Sequence, residues 1–275
     1  MTALRAVSSP AQETLRPATH DRQQVSVALA QFTPITLAEM ESVQLLDRVD
    51  TKYLLPVSHL IPILEEISAH YRLLHTEGPP ASLYHTRYFD TPDFALYHDH
   101  HNDRHERYKV RVRTYVDSDI SFLEIKRKTK RGRTQKVRCQ IPEAPLELEG
   151  DNLTYVQTNY PGNAWRLRPV ISNTFRRITI VNEALYERLT IDLDFRFDWN
   201  GRGDQMNDLA IVEVKQPRFS LHSPFIKHMQ YRAIYRTGFS KYCAGMAYIY
   251  PHLKANRFKR RSLLIRRLRR MENLP

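Results

Sequence analysis

Cysteine is scarce in this sequence: only Cys139 and Cys243 occur among the 275 residues, and neither stands in a C-x-x-C or C-x-x-H spacing. A disulfide framework and a structural zinc site both need several spaced ligands, so the sequence indicates neither. Long apolar runs are also missing, because no stretch reaches about 18 apolar residues and the first 30 residues hold no continuous apolar segment. We therefore expect a protein of the reducing cytoplasm, without a membrane-spanning helix or a secretory signal.

The chain also lacks an internal repeat and a regular alternation of strands with helices. With 41% apolar residues it can bury a sizeable core, and its length fits one large domain. Antiparallel strands with a few helices, in an open sheet or a barrel, are the arrangement that this pattern favours. The candidate strands are residues 47–55, 83–89, 108–115, 122–128, 134–141, 170–181, 185–197, 210–215 and 245–250.

Positive charge is abundant, since 42 Lys and Arg stand against 30 Asp and Glu, a formal net charge of +12. Such an excess favours a polyanionic partner: nucleic acid, anionic lipid, nucleotide or polyphosphate. Net charge alone does not choose among these four classes of partner.

The placement of the charges is more informative than their number. Residues 108–128 read YKVRVRTYVDSDISFLEIKRK, in which charged and apolar residues alternate. Because successive side chains of a strand point to opposite faces, each of the two strands predicted here has one apolar and one charged face. The charged positions are Lys109, Arg111 and Arg113 in the first strand and Glu124, Lys126 and Lys128 in the second.

The same alternation recurs in four other candidate strands. A solvated sheet face is the usual explanation for one such strand, but six in one chain argue for a shared purpose. If the sheet curls with this face inward, the surplus cations need a counter-anion, because unpaired buried charge is costly. The candidate face holds eleven cations (Arg48, Lys52, Lys109, Arg111, Arg113, Lys126, Lys128, Lys136, Arg138, Arg188, Lys215) and five carboxylates (Asp50, Glu124, Asp192, Asp194, Glu213).

That composition suits phosphate chemistry. Arginine donates bidentate hydrogen bonds to phosphate oxygens and lysine supplies point charge. A few carboxylates can hold a divalent metal ion that bridges the same phosphates. Cations together with a metal ion are typical of phosphoryl transfer.

Seven short segments follow one another along the chain: RVDTKYLL (48–55), YFDTPDFALY (88–97), KVRVRTY (109–115), FLEIKRK (122–128), RLTIDLD (188–194), VEVK (212–215) and FSKY (239–242). This ordered set resembles the polyphosphate polymerase domain of the vacuolar transporter chaperone (VTC) type. That domain belongs to the triphosphate tunnel metalloenzyme superfamily, together with the CYTH and RNA-triphosphatase proteins. The resemblance covers roughly residues 36–250.

The resemblance implies an α+β fold, with an eight-stranded antiparallel β-barrel tunnel, a basic interior and a few flanking helices. It implies Mn²⁺ or Mg²⁺ as cofactor, held by Glu213 with Glu124 or Asp192. It assigns catalytic roles to Lys52, Arg111, Arg113 and Glu213. Phosphate or polyphosphate binding is assigned to Arg48, Lys109, Lys126, Lys128, Lys136, Arg138, Arg176, Arg188, Lys215, Ser240 and Lys241.

Two positions depart from the family pattern or leave it open. The pair Arg176-Arg177 offers two arginines on opposite faces of one strand where the family has one, and we expect Arg176 to face the tunnel. Arg48 stands where the triphosphatase branch has the first of its acidic residues, and Asp50 stands where relatives often have glutamate. The departure favours the polymerase branch over simple hydrolysis.

Three regions are predicted along the chain: a disordered segment at 1–31, the VTC-like tunnel domain at 32–253 and a basic amphipathic helix at 254–275. The helix combines Leu263, Leu264, Leu268 and Met271 with six arginines. It either binds a membrane surface or an acidic partner, or docks on the end of the barrel with its arginines in water. The first alternative would place a cytoplasmic protein peripherally at the inner membrane surface.

The sequence thus predicts a phosphotransferase of the polyphosphate polymerase type, which adds the terminal phosphoryl group of ATP to polyphosphate. One alternative is a tunnel triphosphatase that hydrolyses ATP, inorganic triphosphate or thiamine triphosphate. Another is a non-catalytic module that only binds polyphosphate or nucleotide. Nucleic acid is disfavoured, because a duplex requires a convex basic surface and not a tunnel.

Overall fold

The computed structural model describes residues 19–40, 43, 45 and 47–272. A largely antiparallel sheet with helices around it makes an α+β fold. The strands are β1 (Thr33–Ile35), β2 (Val49–Pro56), β3 (Arg72–Leu74), β4 (Ser82–Asp90), β5 (Arg107–Tyr115), β6 (Ile120–Lys128), β7 (Thr134–Ile141), β8 (Arg168–Asn182), β9 (Glu187–Trp199), β10 (Arg202–Met206) and β11 (Leu209–Gln216). The helices are α1 (Thr19–Leu29), α2 (Leu37–Met40), α3 (Val57–Ile67), α4 (Ala95–His101), α5 (Gly150–Asn159), α6 (Pro224–Tyr231), α7 (Lys241–Ile249) and α8 (Lys259–Glu272).

Eight strands form the main path of the sheet, in the order β2-β11-β9-β8-β4-β5-β6-β7. Within the described residues, the edge strands β2 and β7 are not hydrogen-bonded to each other, so the predicted closed barrel does not form. The carbonyl of Lys52 in β2 instead accepts a hydrogen bond from the backbone N–H of Thr237 at 2.8 Å. The sheet is nevertheless curled: Lys52 of β2 lines the same cavity as Lys109 of β5 and Lys126 of β6, which lie near the other end of the strand order.

The outer face of the sheet is apolar. Helices α1, α3 and α6 cover β8, β9, β11 and β2, where Leu60, Ile63 and Leu64 of α3 are fully buried. Helix α5 covers β5 and β6 through Leu153 and Val156. Burying one such side chain stabilises the fold by about 1.5–3 kcal/mol. The charged residues are therefore left on the opposite, inner face.

A bulge in β9 changes which side chains face inward. Asp194 has a positive φ of 55°, and the pairing of β8 with β9 shifts between Thr174 and Arg176. An extra residue in a strand reverses the alternation beyond it. Phe195 therefore faces inward beside Lys241. Asp194 faces outward and binds Arg22, so the prediction that Asp194 lies on the charged face is wrong.

Helix α7 packs on Phe195 and Phe197, the aromatic patch that the bulge turns inward. A Cβ atom on Gly245 would lie 2.4 Å from Ile171 Cδ1 and 2.7 Å from Phe197 Cδ1, so glycine is needed for this close approach. The sequence predicted a strand at 245–250, which is wrong. Small residues in Lys241–Ile249 allow a helix to approach the sheet, and the hydroxyl of Ser240 caps it by accepting from the Cys243 N–H.

Helix α8 docks on the same end of the molecule. Leu264, Ile265 and Leu268 pack against the aromatic core, and Arg269 forms ion pairs with Asp204 at 3.1 Å and Asp208 at 3.4 Å. This agrees with the docking alternative for the C-terminal helix. None of the helices described between residues 19 and 272 is long and apolar enough to cross a membrane.

Helix α1 lies inside the segment that was predicted to be disordered up to residue 31. That prediction is wrong for residues 19–29, because Val25, Ala28 and Leu29 are buried against α3. Arg22 also donates two hydrogen bonds to Asp194, at 3.0 and 2.7 Å. The sparse apolar residues of α1 gave too weak a pattern to predict this helix from the sequence.

Deletion of residues 1–31 should therefore lower the free energy of unfolding by about 3 kcal/mol or more, since two large apolar side chains lose their burial and Asp194 loses its partner. Deletion of residues 1–18 alone is the matched control. Urea unfolding followed by circular dichroism would measure both variants. Equal stability of the two would contradict a structural role for α1.

Candidate functional site

The inner face of the curled sheet concentrates charge. We call this the tunnel face and define it by twelve of its charged residues, all of them buried or half-buried. Among the described residues it holds nine cations (Lys52, Lys109, Arg111, Arg113, Lys126, Arg177, Arg188, Lys215, Lys241) and three carboxylates (Glu124, Asp192, Glu213). Nine minus three leaves six surplus positive charges, which agrees in sign with the sequence prediction.

Glu124 of β6 joins two cations. Arg111, its direct neighbour on β5, donates from Nε at 2.7 Å and from Nη2 at 2.5 Å, and Lys136 of β7 donates at 3.1 Å. Burial alone would raise the pKa of Glu124, but the charges of Arg111 and Arg113 hold that pKa well below its usual range. The carboxylate is therefore ionised, and it fixes the position of Arg111.

Asp192 of β9 forms a second cluster. Arg177 donates to both of its oxygens at 2.6 Å, and Lys241 from the start of α7 forms an ion pair with Oδ2. Burial opposes ionisation, yet Arg177 and Lys241 hold the pKa of Asp192 well below its usual range. The prediction that Arg176 faces the tunnel is wrong: Arg176 bonds to the Ala81 carbonyl on the other side of the sheet.

Sequence information could have identified Arg177. Strands β8 and β9 form a hairpin whose closing pair is Asn182 with Glu187. Counting outward from that turn, five residues on each side, places Arg177 directly opposite Asp192 and on the same face. The ambiguity between the two arginines is therefore resolved by the register of the hairpin and not by the local motif.

Glu213 of β11 is the most accessible of the three carboxylates. It forms ion pairs with Lys215 at 2.6 Å and Lys52 at 3.2 Å. Its side chain is 19% exposed, compared with 1% for Glu124 and 3% for Asp192. Burial would raise its pKa, but Lys215 and Lys52 lower it well below the usual value, so Glu213 is an ionised and reachable ligand.

Arg113 and Lys126 differ from these cations because neither forms an ion pair with another described residue. Arg113 lies over the rings of Tyr84 at 5.5 Å and Phe175 at 5.9 Å. Burial and the charge of Arg111 lower its pKa to about 10. The charge of Arg111, followed by burial, lowers the pKa of Lys126 well below its ordinary value. Both side chains are electrostatically unsatisfied, so an anion would bind favourably here.

The start of α7 brings more donors to the tunnel face. Lys109 donates to the Ser240 hydroxyl at 2.9 Å, and Lys52 donates to the Phe239 carbonyl at 3.3 Å. These contacts place Ser240 and Lys241 beside the strand residues, as the resemblance implied.

Other predicted residues lie at the margins. Arg48 is exposed and bonds to Asp50 at 2.9 Å, and Arg138 is exposed with its guanidinium 4.4 Å from the centre of the Phe122 ring. Lys128 lines the mouth of the tunnel face. Arg188 is half-buried, and its Nε has no hydrogen-bond partner among the described residues.

The comparison with protein families agrees with this geometry. The model of the VTC domain matches residues 47–250, which is most of the chain and includes β2 to β11 and α7. The chain belongs to the VTC domain family. No curated protein matches it significantly.

Solved structures similar to this VTC domain include two proteins described as adenylate cyclases. One, from Bacillus halodurans, is 14% identical, with a TM-score of 0.46 over 71% of this chain and 94% of its own. Another, from Hippeastrum, is described as having a dominant triphosphatase activity; it is 14% identical, with a TM-score of 0.46 over 75% of this chain and 97% of its own.

A metal site made of protein ligands alone does not fit this VTC domain. No group of three or more His, Cys, Asp or Glu within the described ranges is arranged to hold a metal ion. Glu213, Glu124 and Asp192 are each engaged by cations on both oxygens, so the predicted set of Glu213 with Glu124 or Asp192 offers no free pair of carboxylates for a metal ion. Glu213 differs from the other two in its exposure of 19%, so it is the carboxylate that can exchange a lysine for a metal ion whose other ligands are substrate phosphates, as Mg²⁺ accepts.

The two neighbouring arginines of β5 should respond differently to substitution. Arg111→Met removes the main partner of a fully buried carboxylate and should lower the free energy of unfolding by about 3 kcal/mol. Arg113→Met removes a cation without an ion pair and should leave that free energy within about 1 kcal/mol of wild type, or raise it. Urea unfolding without phosphate measures both. Equal destabilisation would contradict the description of Arg113 as unsatisfied.

Phosphate binding should weaken with rising pH through Lys241. Burial lowers the pKa of Lys241 to about 8, although Asp192 opposes the shift. Its unfolded form keeps a proton up to about pH 10.4, so between these values the unfolded state binds more protons and the free energy of unfolding rises with pH. Over the same interval the folded protein loses a positive charge, and its affinity for anions falls.

Tripolyphosphate titrations from about pH 7 to about pH 10 would measure this decline. Lys241→Arg is the matched control, because guanidinium stays charged throughout and its decline should be shallower. An identical pH profile in the two proteins would exclude Lys241 as the titrating group.

Proposed function

We propose that this VTC domain is a metal-dependent phosphotransferase, which moves the terminal phosphoryl group of ATP onto inorganic polyphosphate on the tunnel face. The observation that carries the proposal is the unsatisfied charge of Arg113 and Lys126. A buried arginine and a half-buried lysine without an ion-pair partner among the described residues destabilise the free protein, so their presence is best explained by an anionic substrate.

The cations approach the site from opposing walls. Arg111, Arg113 and Lys126 come from β5 and β6, whereas Arg177, Lys215 and Lys241 come from β8, β11 and α7. Arg113 and Arg177 meet at two rings, since Arg113 lies 5.5 Å from Tyr84 and 5.9 Å from Phe175, and Arg177 lies 5.2 Å from both. A linear phosphate chain between them would accept bidentate arginine bonds and lysine point charges from several directions.

The transfer needs no side-chain nucleophile. A terminal oxygen of polyphosphate attacks the γ-phosphorus of ATP, and the bond between that phosphorus and the bridging oxygen to the β-phosphate breaks. ADP leaves with the electron pair, and the polymer grows by one phosphate. The protein contributes alignment of the two chains and neutralisation of charge on the transferred group.

The carboxylates have separate tasks in this scheme. Glu124 and Asp192 hold Arg111 and Arg177 in fixed orientations through bonds of 2.5–2.7 Å. Glu213, the accessible one, would hold Mn²⁺ or Mg²⁺ together with substrate phosphates. The bound ion would neutralise phosphate charge that the cations do not reach.

Hydrolysis in the same site is the second candidate. A cavity of about 650 Å³, which is open to solvent, adjoins Lys52, Lys109 and Lys126, and water could enter through it and attack the same phosphorus. A binding module without turnover is the remaining alternative. Nucleic acid is less suited, because the charge lies on the concave face of a curled sheet, where a duplex does not fit.

Purified protein incubated with ATP and Mn²⁺ or Mg²⁺ should produce a polyphosphate ladder on a gel. Glu213→Gln should reduce its yield about 100-fold or more, because the accessible carboxylate is lost. Glu143→Gln, on an exposed loop, is the matched control and should retain full activity. Free phosphate is measured in the same samples.

The two product measurements distinguish a polymerase, a triphosphatase and a binding module. Free phosphate without a ladder would replace the polymerase with a triphosphatase. Neither product, with tripolyphosphate still bound, would leave a binding module. Full activity of Glu213→Gln would remove Glu213 from the site.

A further inference from the structure

The open cavity beside the tunnel face has a second set of cations. Of its lining residues, Lys52, Lys109 and Lys126 belong to the tunnel face, and Asp50 and Asp103 are its two carboxylates. The additional cations are Arg107, Lys128, Arg257 and Arg261. Seven cations against two carboxylates make this mouth strongly positive, and its charge is continuous with that of the tunnel face.

Two of these cations come from outside the matched family region. The VTC match ends at residue 250, whereas Arg257 lies in the 3-10 turn Asn256–Phe258 and Arg261 in the first turn of α8. The sequence assigned this segment to a surface helix. The structure places the beginning of that helix at the cavity.

The C-terminal segment is fixed in this position by specific contacts. The Asn256 side chain bonds to His101 Nε2 at 2.8 Å, and Phe258 is buried in the aromatic core beside Tyr97. The Tyr97 hydroxyl donates to the Lys254 carbonyl at 3.0 Å. These three contacts anchor the segment to α4, so hydrogen bonds and side-chain packing hold the two arginines at the mouth.

The two arginines at the mouth are not neutralised. Neither Arg257 nor Arg261 forms an ion pair with any residue of the described ranges, and the same holds for Lys128. Arg107 is the exception, since it pairs with Asp103 at 3.0 Å. Arg261 lies 5.6 Å from the centre of the Phe258 ring and against Gly238, where an added Cβ would meet its Nη2 at 3.0 Å.

We propose that Arg257 and Arg261, together with Lys128, bind phosphates of the substrate chain beyond those gripped by the tunnel face, and so select a polyanion longer than a triphosphate. The inference rests on the proposed function, because it assumes that the tunnel face binds phosphate. Its basis is the continuity of unpaired charge from Lys126 to the mouth. A linear polyphosphate carries repeated charge along its length and would bind both groups at once.

Binding of tripolyphosphate and of size-fractionated long-chain polyphosphate would be compared by calorimetry, in wild type and in Arg257→Ala/Arg261→Ala. The ratio of long-chain to tripolyphosphate affinity should fall by about tenfold in the variant. The slope of the logarithm of long-chain affinity against the logarithm of salt concentration should become shallower by about 1 for each arginine removed.

Arg260→Ala/Arg267→Ala is the matched control. It removes two exposed arginines from the same helix, and neither of them lines the cavity. Its affinity ratio should equal that of wild type. An equal loss in both double variants would show non-specific attraction to α8 and would overturn the proposal.

Two further outcomes separate this inference from the proposed function. If wild type binds both polyanions and Arg257→Ala/Arg261→Ala keeps the wild-type ratio, the mouth site is wrong and the tunnel face stands. If wild type binds neither polyanion, the proposed function itself fails. A selective loss of ATP affinity in the variant would assign the arginines to the nucleotide and would also overturn the proposal. Thermal melting of each variant checks that it is folded.

Discussion

Uncompensated positive charge on the inner face of the sheet is the constraint on which the rest of this structure depends. Nine cations share the face with three carboxylates, and each carboxylate is engaged by two cations. A surplus of this kind opposes folding, because like charges are brought together away from water. The outer face has to compensate for it, and there the helices α1, α3, α5 and α6 bury apolar side chains in two clusters. The outer face of the strands thus provides stability, and the inner face of the same strands provides the capacity to bind anions.

The bulge at Asp194 determines how helix α7 of the C-terminal region packs on the sheet. Before the bulge β9 presents Asp192 to the interior, and beyond it the strand presents Phe195 and Phe197. Helix α7 packs on these rings, and its first residue, Lys241, thereby reaches Asp192. One extra residue in a strand therefore determines where a helix docks and which cation completes the site. A strand without the bulge would place the aromatic patch outside, and α7 would have no surface on which to pack.

Much of the site could be predicted from the sequence because a strand has a fixed period of two. The charged positions predicted for β5 and β6 share one face, and the tunnel face includes seven of the eleven cations and three of the five carboxylates predicted for the charged face. The predictions that were wrong depended on contacts between residues far apart in the sequence. Arg177 needed the register of the hairpin, Asp194 needed the bulge, and residues 245–250 needed the partner surface that favours a helix. Closure of the barrel also depended on a distant segment, since Thr237 bonds to the edge of β2. Local alternation carries none of these four facts.

The arrangement of the ion pairs bears on how a substrate could enter without rearranging the protein. If all the cations were free, mutual repulsion would spread their side chains, and an incoming phosphate chain would have to order them at an entropic cost. Glu124 and Asp192 remove that cost for Arg111 and Arg177, since bidentate bonds fix both guanidinium groups in the free protein. Arg113 and Lys126 form no ion pair among the described residues, so their charge stays available to a ligand. Fixed cations align a ligand and unpaired cations attract it, and a face that contains both is preorganised for a linear polyanion.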